Sequence, residues 1–387
     1  VTVTLRPHQT NAVAAMQKHR KGQVIIPTGG GKTMCMIEDV KHQLRTQKSS
    51  TIVVVAPRIL LAQQLCKEFL EQINNAAVYH VHSGETDHSS STKPALIGNW
   101  HRQAYRNQLI FTTYNSLNRI QEAGINVDTI YFDEAHNSVK RNFFGATEHF
   151  ANDARRCYFF TATPKHSATV FKPGMNDPEV YGQVICNVPA PTLVQGGYIL
   201  PPKVVIEELP QGDQMLTDSE NILRSIDNNS LDKILICARN TKQILRLMDS
   251  SNLFLNLAAR GYSYMIITSK TGAIIDGQKV SRDVFFKTLN AWGVDPTKKF
   301  VVLHHSILSE GINVKGLEAV LFLRNMDYIG ISQTIGRVIR LGGESKTFGL
   351  VCVPVYDKVG ISTSRKVQSV VDVVFGEGQP AISVVKK

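Results

Sequence analysis

Cysteine is scarce and scattered in this sequence. There are six in 387 residues (Cys35, Cys66, Cys157, Cys186, Cys237 and Cys352), none closer together than Cys157 and Cys186. No C-x-x-C pair offers a zinc site or a redox centre, and no disulfide framework is indicated. A chain of this length can bury real cores without such staples. Also missing is any apolar run of the roughly 18 residues needed to cross a bilayer. Residues 1–20 lack an apolar stretch behind a basic start. Secretion and membrane insertion are excluded as leading ideas, and reduced thiols in a cytoplasmic setting are expected. Blocks of like charge, low-complexity tracts and internal repeats are absent too, the longest basic runs being doublets such as Arg155-Arg156 and Lys298-Lys299. What is present in excess is positive charge. Lys and Arg number 43 against 32 Asp and Glu, a net +11 spread over both halves, which favours a polyanionic partner.

Length predicts two to three domains, and the hydrophobic pattern divides the chain in two. Short β-branched runs (Val24–Ile26, Thr51–Val55, Ala77–Val81, Leu109–Thr112, Thr129–Phe132, Cys157–Thr161) alternate with amphipathic stretches such as the one around Ile59–Leu70. That alternation predicts βαβ units and a parallel sheet. From Pro164 to Pro202, seven prolines and several glycines read as a linker. The alternation restarts with Val204–Glu207, Ile234–Ala238, Tyr264–Thr268, Phe300–Leu303, Ala319–Leu323 and Phe348–Val353, with helices expected at Thr241–Asn256 and Arg282–Trp292. The expected boundaries are 1–190, 191–355 and an extension, 356–387, whose completeness stays open. The apolar stretch Val367–Phe375 is expected to pack on the second domain.

The first strand runs into Pro27-Thr28-Gly29-Gly30-Gly31-Lys32-Thr33, with a helix starting near Met34. Strand, glycine turn and helix N-terminus let successive backbone N–H groups cradle phosphates, with Lys32 on the β and γ oxygens and the Thr33 hydroxyl on Mg²⁺. Ile26 stands where the longer form of this motif has its first glycine. Further on, the strand before Asp133-Glu134-Ala135-His136 ends in two adjacent carboxylates. In that position Asp133 can bind Mg²⁺ and Glu134 can orient and deprotonate an attacking water. ATP and Mg²⁺ are the cofactors this pair of motifs implies.

With these motifs in order, the chain resembles superfamily 2 helicases and translocases over roughly residues 5–340. The resemblance implies two tandem RecA-like α/β domains with parallel sheets and a nucleic-acid-stimulated ATPase. Leu5-Arg6-Pro7-His8-Gln9 resembles the adenine-recognition element, which puts Arg6 and Gln9 with Thr28, Gly29, Gly30, Gly31, Lys32 and Thr33 among the nucleotide-binding residues. Ala56-Pro57-Arg58 and Thr112-Thr113-Tyr114 resemble elements that hold a nucleic-acid backbone, and Arg239 is assigned to the same role in the second domain. Thr161-Ala162-Thr163, with His136, resembles the element that couples nucleotide state to strand grip. Ser309-Glu310-Gly311-Ile312-Asn313 is similar to an E-G-x-D element, with Asn313 in place of the Asp, which adds Gly311 and Asn313 to the nucleotide-binding residues. Gln333-Thr334-Ile335-Gly336-Arg337-Val338-Ile339-Arg340 is similar to Q-x-x-G-R-x-x-R. Arg337 and Arg340, three apart on a helix, project from one face and are expected to reach the γ-phosphate and stabilise transition-state charge.

The string Gly336-Arg337-Val338-Ile339-Arg340 is more similar to the G-R-x-[LI]-R of DNA-acting members (restriction-enzyme motor subunits, XPB and phage UvsW-type enzymes) than to the G-R-x-G-R of RNA helicases. A backbone-directed partner is therefore expected, DNA rather than RNA. The expected activity is ATP-dependent helicase or translocase action in replication, recombination or repair. The alternatives are a motor subunit of a restriction-type complex, an RNA helicase, or an ATP-gated clamp or annealing factor.

The remaining candidates are bland. His80 and His82 alternate along a strand and His304-His305 end another, but no Cys or carboxylate is spaced in sequence to complete a metal set. These histidines are expected to be satisfied by neighbours, and Ser83–Ser91 is expected to be a mobile loop.

Overall fold

A computed structural model describes residues 3–27, 29–104, 106–198, 202–208, 214–305, 316–323, 349–355 and 382–386. The chain divides into two compact units, Val1–Pro27 with Gly31–Val188 and Thr28–Gly30 with Pro189–Lys387.

The first unit holds β1 (Lys21–Ile25), β2 (Thr51–Ala56), β3 (Ala76–Val81), β4 (Ser89–Ser90), β5 (Asn107–Thr113), β6 (Thr129–Phe132), β7 (Arg156–Thr161) and β8 (Val184–Asn187). They form an eight-stranded sheet in the order β4-β3-β5-β2-β6-β7-β1-β8, and every pairing is parallel. A parallel sheet must be covered on both faces, and the central strands show it. Thr51-Ile52-Val53-Val54-Val55-Ala56 is buried at all six positions. The cover comes from α1 (Pro7–Lys18), α2 (Lys32–Thr46), α3 (Ile59–Leu70), α4 (Pro94–Gln103), α5 (Leu117–Glu122), α6 (Arg141–Asp153) and α7 (Pro178–Tyr181). In α2, Cys35, Met36, Ile37, Val40 and Leu44 turn inward at helical spacing.

The second unit holds α8 (Ala190–Gln195), β9 (Pro202–Glu208), α9 (Gln214–Asn229), β10 (Lys233–Cys237), α10 (Thr241–Ser250), α11 (Leu253–Ala259), β11 (Ser263–Thr268), β12 (Gly272–Ile275), β13 (Gln278–Val280), α12 (Arg282–Val294), β14 (Phe300–His304), β15 (Ala319–Phe322), β16 (Gly349–Val355) and β17 (Ile382–Lys386). Its nine-stranded sheet runs β13-β12-β11-β14-β10-β15-β16-β9-β17. It is parallel from β11 to β17, with β12 and β13 joined antiparallel at one edge. Its core gathers Ile234, Ile236, Ile266, Val301, Leu303 and Leu321 from the strands and Ile244, Leu247, Leu253 and Leu257 from the helices.

Three expectations are corrected, and one hairpin is added. The 164–202 stretch is more than a linker, because β8 adds to the edge of the first sheet beside β1. This close approach fits a glycine at Gly22, where a Cβ would meet the Ile185 side chain. The helix expected over Thr241–Asn256 is two helices. Ser251 donates its hydroxyl to the Leu247 carbonyl at 2.6 Å and accepts from the Leu253 amide at 3.3 Å, which ends one helix and starts the next. The β12–β13 hairpin was not expected; it turns on Asp276 and Gly277, both with positive φ, as a two-residue Asp-Gly turn requires. Finally, Ser89–Ser90 pairs with β3 as a short edge strand inside the expected loop. Val367–Phe375 lies outside the described residues.

Candidate functional site

In a parallel sheet every strand's carboxyl end points to the same edge, and loops leaving that edge converge. Here the carboxyl ends of β1, β2, β5, β6 and β7, with the loops that follow them, carry, in turn, the glycine turn, Pro57 and Arg58, the 112–114 string, the two carboxylates, and Thr161 to Thr163. Chemistry scattered over about 140 positions of sequence is thereby gathered along one edge of the first sheet.

Gly31 caps α2 with φ 81° and ψ 44°, and Gly29 has φ 84°. This left-handed conformation costs an L side chain roughly 1–2 kcal/mol. At Gly31 a Cβ would also strike the Gln9 side-chain amide. That amide donates to the Gly31 carbonyl at 3.1 Å, and the Gln9 side-chain oxygen accepts from the Arg6 amide at 2.8 Å. Gln9 and Arg6 are thus held against the glycine turn. Thr28 lies outside the described residues. Lys32 opens α2, with Thr33 next, and the Lys32 ammonium is 3.8 Å from Glu134 Oε1.

The carboxylate loop is held from several sides. The Asp133 amide donates to the Val55 carbonyl at 2.8 Å, and the Tyr114 hydroxyl donates to the Asp133 carbonyl at 2.7 Å. Glu134 sits at φ 47° and ψ 51°, a conformation uncommon outside glycine. The Asn137 side-chain amide donates to the Glu134 carbonyl at 3.0 Å and so supports this strained turn. Both carboxylates are buried. Burial pushes the Asp133 carboxyl well above the usual carboxylate range, the Glu134 charge adds to the rise, and Lys32 opposes it. A carboxylate and a hydroxyl are hard oxygen donors suited to Mg²⁺, so Asp133 and Thr33 fit that ion, whose charge would relieve the buried carboxylate pair.

His136 joins this site to the strand beside it. Its Nδ1 is 3.6 Å from Glu134 Oε2 and 2.9 Å from Thr161 Oγ1, and Thr161 Oγ1 also accepts the Thr163 amide at 3.1 Å. The Thr163 hydroxyl is buried with no partner among the described residues.

The 112–114 string is oriented differently from a row of surface contacts. Thr112 is fully buried and donates its hydroxyl to the Val81 carbonyl at 2.8 Å, Thr113 is buried, and Tyr114 is committed to Asp133. Pro57 and Arg58 are half-buried at the start of α3. In the second unit Arg239 is exposed after β10, and its amide donates to Gln243 Oε1 at 2.6 Å. Gly311, Asn313, Gln333, Arg337 and Arg340 lie outside the described residues.

Two supports escaped the sequence reading. Asn137 follows the acidic string directly, but only the backbone angle of Glu134 reveals what it holds. The other is a buried ion pair: Arg156 on β7 forks onto Asp39 of α2 at 2.8 and 2.9 Å. Arg156 also reaches Gln43 Oε1 and the Met16 carbonyl, each at 3.2 Å, and Tyr131 on β6 donates to Asp39. This network ties the helix behind Lys32 to the strands that carry the carboxylates and Thr161.

Residues 2–166 match the family described as Type III restriction enzyme, res subunit. A DNA 3'-5' translocase XPB2 from Sulfurisphaera tokodaii is 26% identical over 163 residues, 42% of this chain and 31% of that protein. The ATP-dependent Type ISP restriction-modification enzyme LlaBIII, solved bound to DNA, superposes with a TM-score of 0.75 at 17% identity over 99% of this chain and 31% of its own. Mss116p, solved with single-stranded RNA and AMP-PNP, gives a TM-score of 0.65 at 16% identity over 99% of this chain and 74% of its own. The chain therefore spans about a third of the length of the XPB2 and LlaBIII relatives.

Proposed function

We propose, from the premise that this chain is a member of superfamily 2 of the helicases and translocases, that it is an ATP-dependent motor acting on nucleic acid, with DNA as its track. The observation that carries the reading is the convergence at one sheet edge of the Gly29–Gly31 turn, Lys32 and the Asp133-Glu134 pair, with Lys32 already 3.8 Å from Glu134.

Each residue then has a task. Backbone amides of the glycine turn and the N-terminus of α2 receive phosphate oxygens, Lys32 neutralises them, and Gln9 with Arg6 lies where a base would be read. Bound Mg²⁺ supplies positive charge to the phosphates, with Asp133 and Thr33 holding it. Glu134 orients a water and accepts its proton, and the strained turn braced by Asn137 and Tyr114 fixes its direction. His136 senses Glu134 and passes its state to Thr161 and Thr163. Gln333, Arg337 and Arg340, assigned by resemblance, contribute to transition-state charge, and Gly311 and Asn313, assigned in the same way, join the nucleotide-binding residues. Pro57, Arg58 and Arg239 meet phosphates of the track. For the 112–114 string the buried side chains support a positioning role, leaving backbone and the exposed Asn115 for contact. Backbone-directed grip makes binding insensitive to base sequence. Among the described residues no helix is long and apolar enough to cross a membrane, and a cytoplasmic setting is part of the proposal.

A second reading, the motor portion of a restriction-type assembly, is favoured by the family match and by the chain's likeness to about a third of a Type ISP enzyme. ATP turnover measured with single-stranded DNA, duplex DNA, forked DNA and RNA as separate stimulants tests the main reading. Stimulation by DNA that disappears in Lys32→Ala is expected, and turnover of Lys32→Ala within a few-fold of wild type would overturn the phosphate-loop assignment.

A further inference from the structure

The histidines of β3 are not simply satisfied by their neighbours. Folding brings Cys66 of α3, His80 of β3 and His88 of the loop before β4 together, so that one ligand atom from each lies within 4.8 Å of the others. Sequence spacing concealed the cysteine, because it belongs to the helix that crosses between β2 and β3. Cys66 and His80 are buried, at 2% and 1% exposure, and His88 is the most accessible of the three. The His80 and His88 rings stack 5.3 Å apart and 7° from parallel.

The decisive detail is a ring nitrogen. His80 Nδ1 lies 3.0 Å from His82 Nε2, and His82 Nδ1 accepts the Gly84 amide at 3.1 Å. His80 Nε2, by contrast, is buried with no hydrogen-bond partner. A buried polar atom left without a partner destabilises the fold. Here the orphan sits in a cluster that also offers a thiol and a second imidazole.

We infer that Cys66 Sγ, His80 Nε2 and a ring nitrogen of His88 form a binding site for a divalent transition-metal cation, Zn²⁺ by its ligand chemistry, with water completing the shell. One thiolate and two imidazoles suit zinc in tetrahedral geometry. Zn–S and Zn–N bonds of about 2.3 and 2.0–2.1 Å put neighbouring ligand atoms about 3.5 Å apart. On binding, the cluster closes by about an ångström and the His88 ring turns out of its stack on His80 so that its nitrogen lone pair meets the ion, movements that the His88 loop can supply. His82 serves as the supporting partner that orients His80.

The protons balance. Cys66 gives up its S–H proton to solvent, and metal–thiolate bonding replaces it. The Gly84 amide bond makes His82 Nδ1 an acceptor, so in the metal-free chain His82 donates from Nε2 and His80 carries its own proton on Nε2. With the cation on that nitrogen, His80 carries its proton on Nδ1 and donates to His82 Nε2. His82 then carries its proton on Nδ1, and the Gly84 amide turns to solvent. One proton is released per cation. Burial pushes the free Cys66 thiol up to about 12 and brings His80 down to about 4, with His82 and His88 adding to the latter. The Cys66 thiol and the His80 ring are therefore uncharged at neutral pH.

The site would staple α3, β3 and the 83–91 segment together. Because α3 begins next to Arg58, the metal would also stiffen the loop proposed to touch the track. The inference does not depend on that reading, and neither does its test.

Metal-free full-length chain is titrated with Zn²⁺ against a chromophoric chelator, and in parallel with Co²⁺ to observe thiolate-to-cobalt charge transfer. One equivalent of Zn²⁺ and a charge-transfer band are expected. His88→Ala, at the accessible position, should weaken Zn²⁺ by at least the roughly 10–100-fold that loss of a supporting partner alone costs. Cys66→Ser should abolish the band; should that variant fail to fold, the His88→Ala result decides. Absence of stoichiometric Zn²⁺ binding by the wild type, Zn²⁺ binding unchanged in His88→Ala, or a Co²⁺ complex without the thiolate band would each overturn the inference.

Discussion

Replacing Arg156 by Met should destabilise the first unit by about 3–5 kcal/mol, the usual cost of stranding one partner of a buried ion pair. The structure supports that figure. Asp39 is fully buried, and its two oxygens take the guanidinium fork at 2.8 and 2.9 Å. Without Arg156, the remaining polar contact to that carboxylate named above is the Tyr131 hydroxyl. Met matches the length of the Arg stem but offers no donor. Removing both charges in Asp39→Leu/Arg156→Met should be milder, because an apolar pair of similar volume is often neutral. The Tyr131 hydroxyl would still lose its acceptor, for about 1–3 kcal/mol. The double variant should therefore be more stable than Arg156→Met alone by about 2 kcal/mol. The chain has two tryptophans, Trp100 in the first unit and Trp292 in the second. In a Trp292→Phe background, denaturant unfolding followed by Trp100 fluorescence reports the first unit. A loss below about 1 kcal/mol for Arg156→Met, or a double variant worse than the single by the full additive amount, would refute the reasoning.

Glu134→Gln should retain Mg²⁺-ATP binding while turnover drops by about 10²–10⁴-fold, the typical contribution of a positioned general base; collapse of nucleotide affinity with turnover intact would exchange the roles of Asp133 and Glu134. Gly31→Ala should weaken nucleotide binding, since the left-handed cap conformation costs about 1–2 kcal/mol and the new methyl displaces Gln9; equilibrium titration with a fluorescent nucleotide reads it, and unchanged affinity would show that the turn need not be a glycine. Affinity for DNA should fall linearly on a log–log plot against salt and vary little with base sequence, as counterion release from several phosphates requires; a salt-independent, sequence-selective interaction in a mobility-shift series would indicate base reading.

The parallel architecture and the motifs proposed to face a nucleotide were legible because they are local in sequence. β-branched runs mark β2, β5 and β6, a glycine turn precedes Lys32, and a strand ends in Asp133-Glu134. The Asp276-Gly277 hairpin was equally local and was passed over, since short flanking strands carry little periodicity. Other features depend on tertiary placement. β8 is a strand because Gly22 lets it lie against β1. Tyr114 turns inward to the Asp133 carbonyl, which no tripeptide string specifies. Cys66 meets His80 and His88 only after α3 packs on the sheet, and Asp39 meets Arg156 across 117 positions.

Displacement of a triplex-forming strand from duplex DNA tests the central claim most directly, because it requires directed movement along a track rather than turnover alone. ATP-dependent displacement by the wild type, absent in Lys32→Ala and in Glu134→Gln, is the predicted result. DNA-stimulated ATP hydrolysis that never displaces the third strand would contradict the motor and leave an ATP-gated clamp.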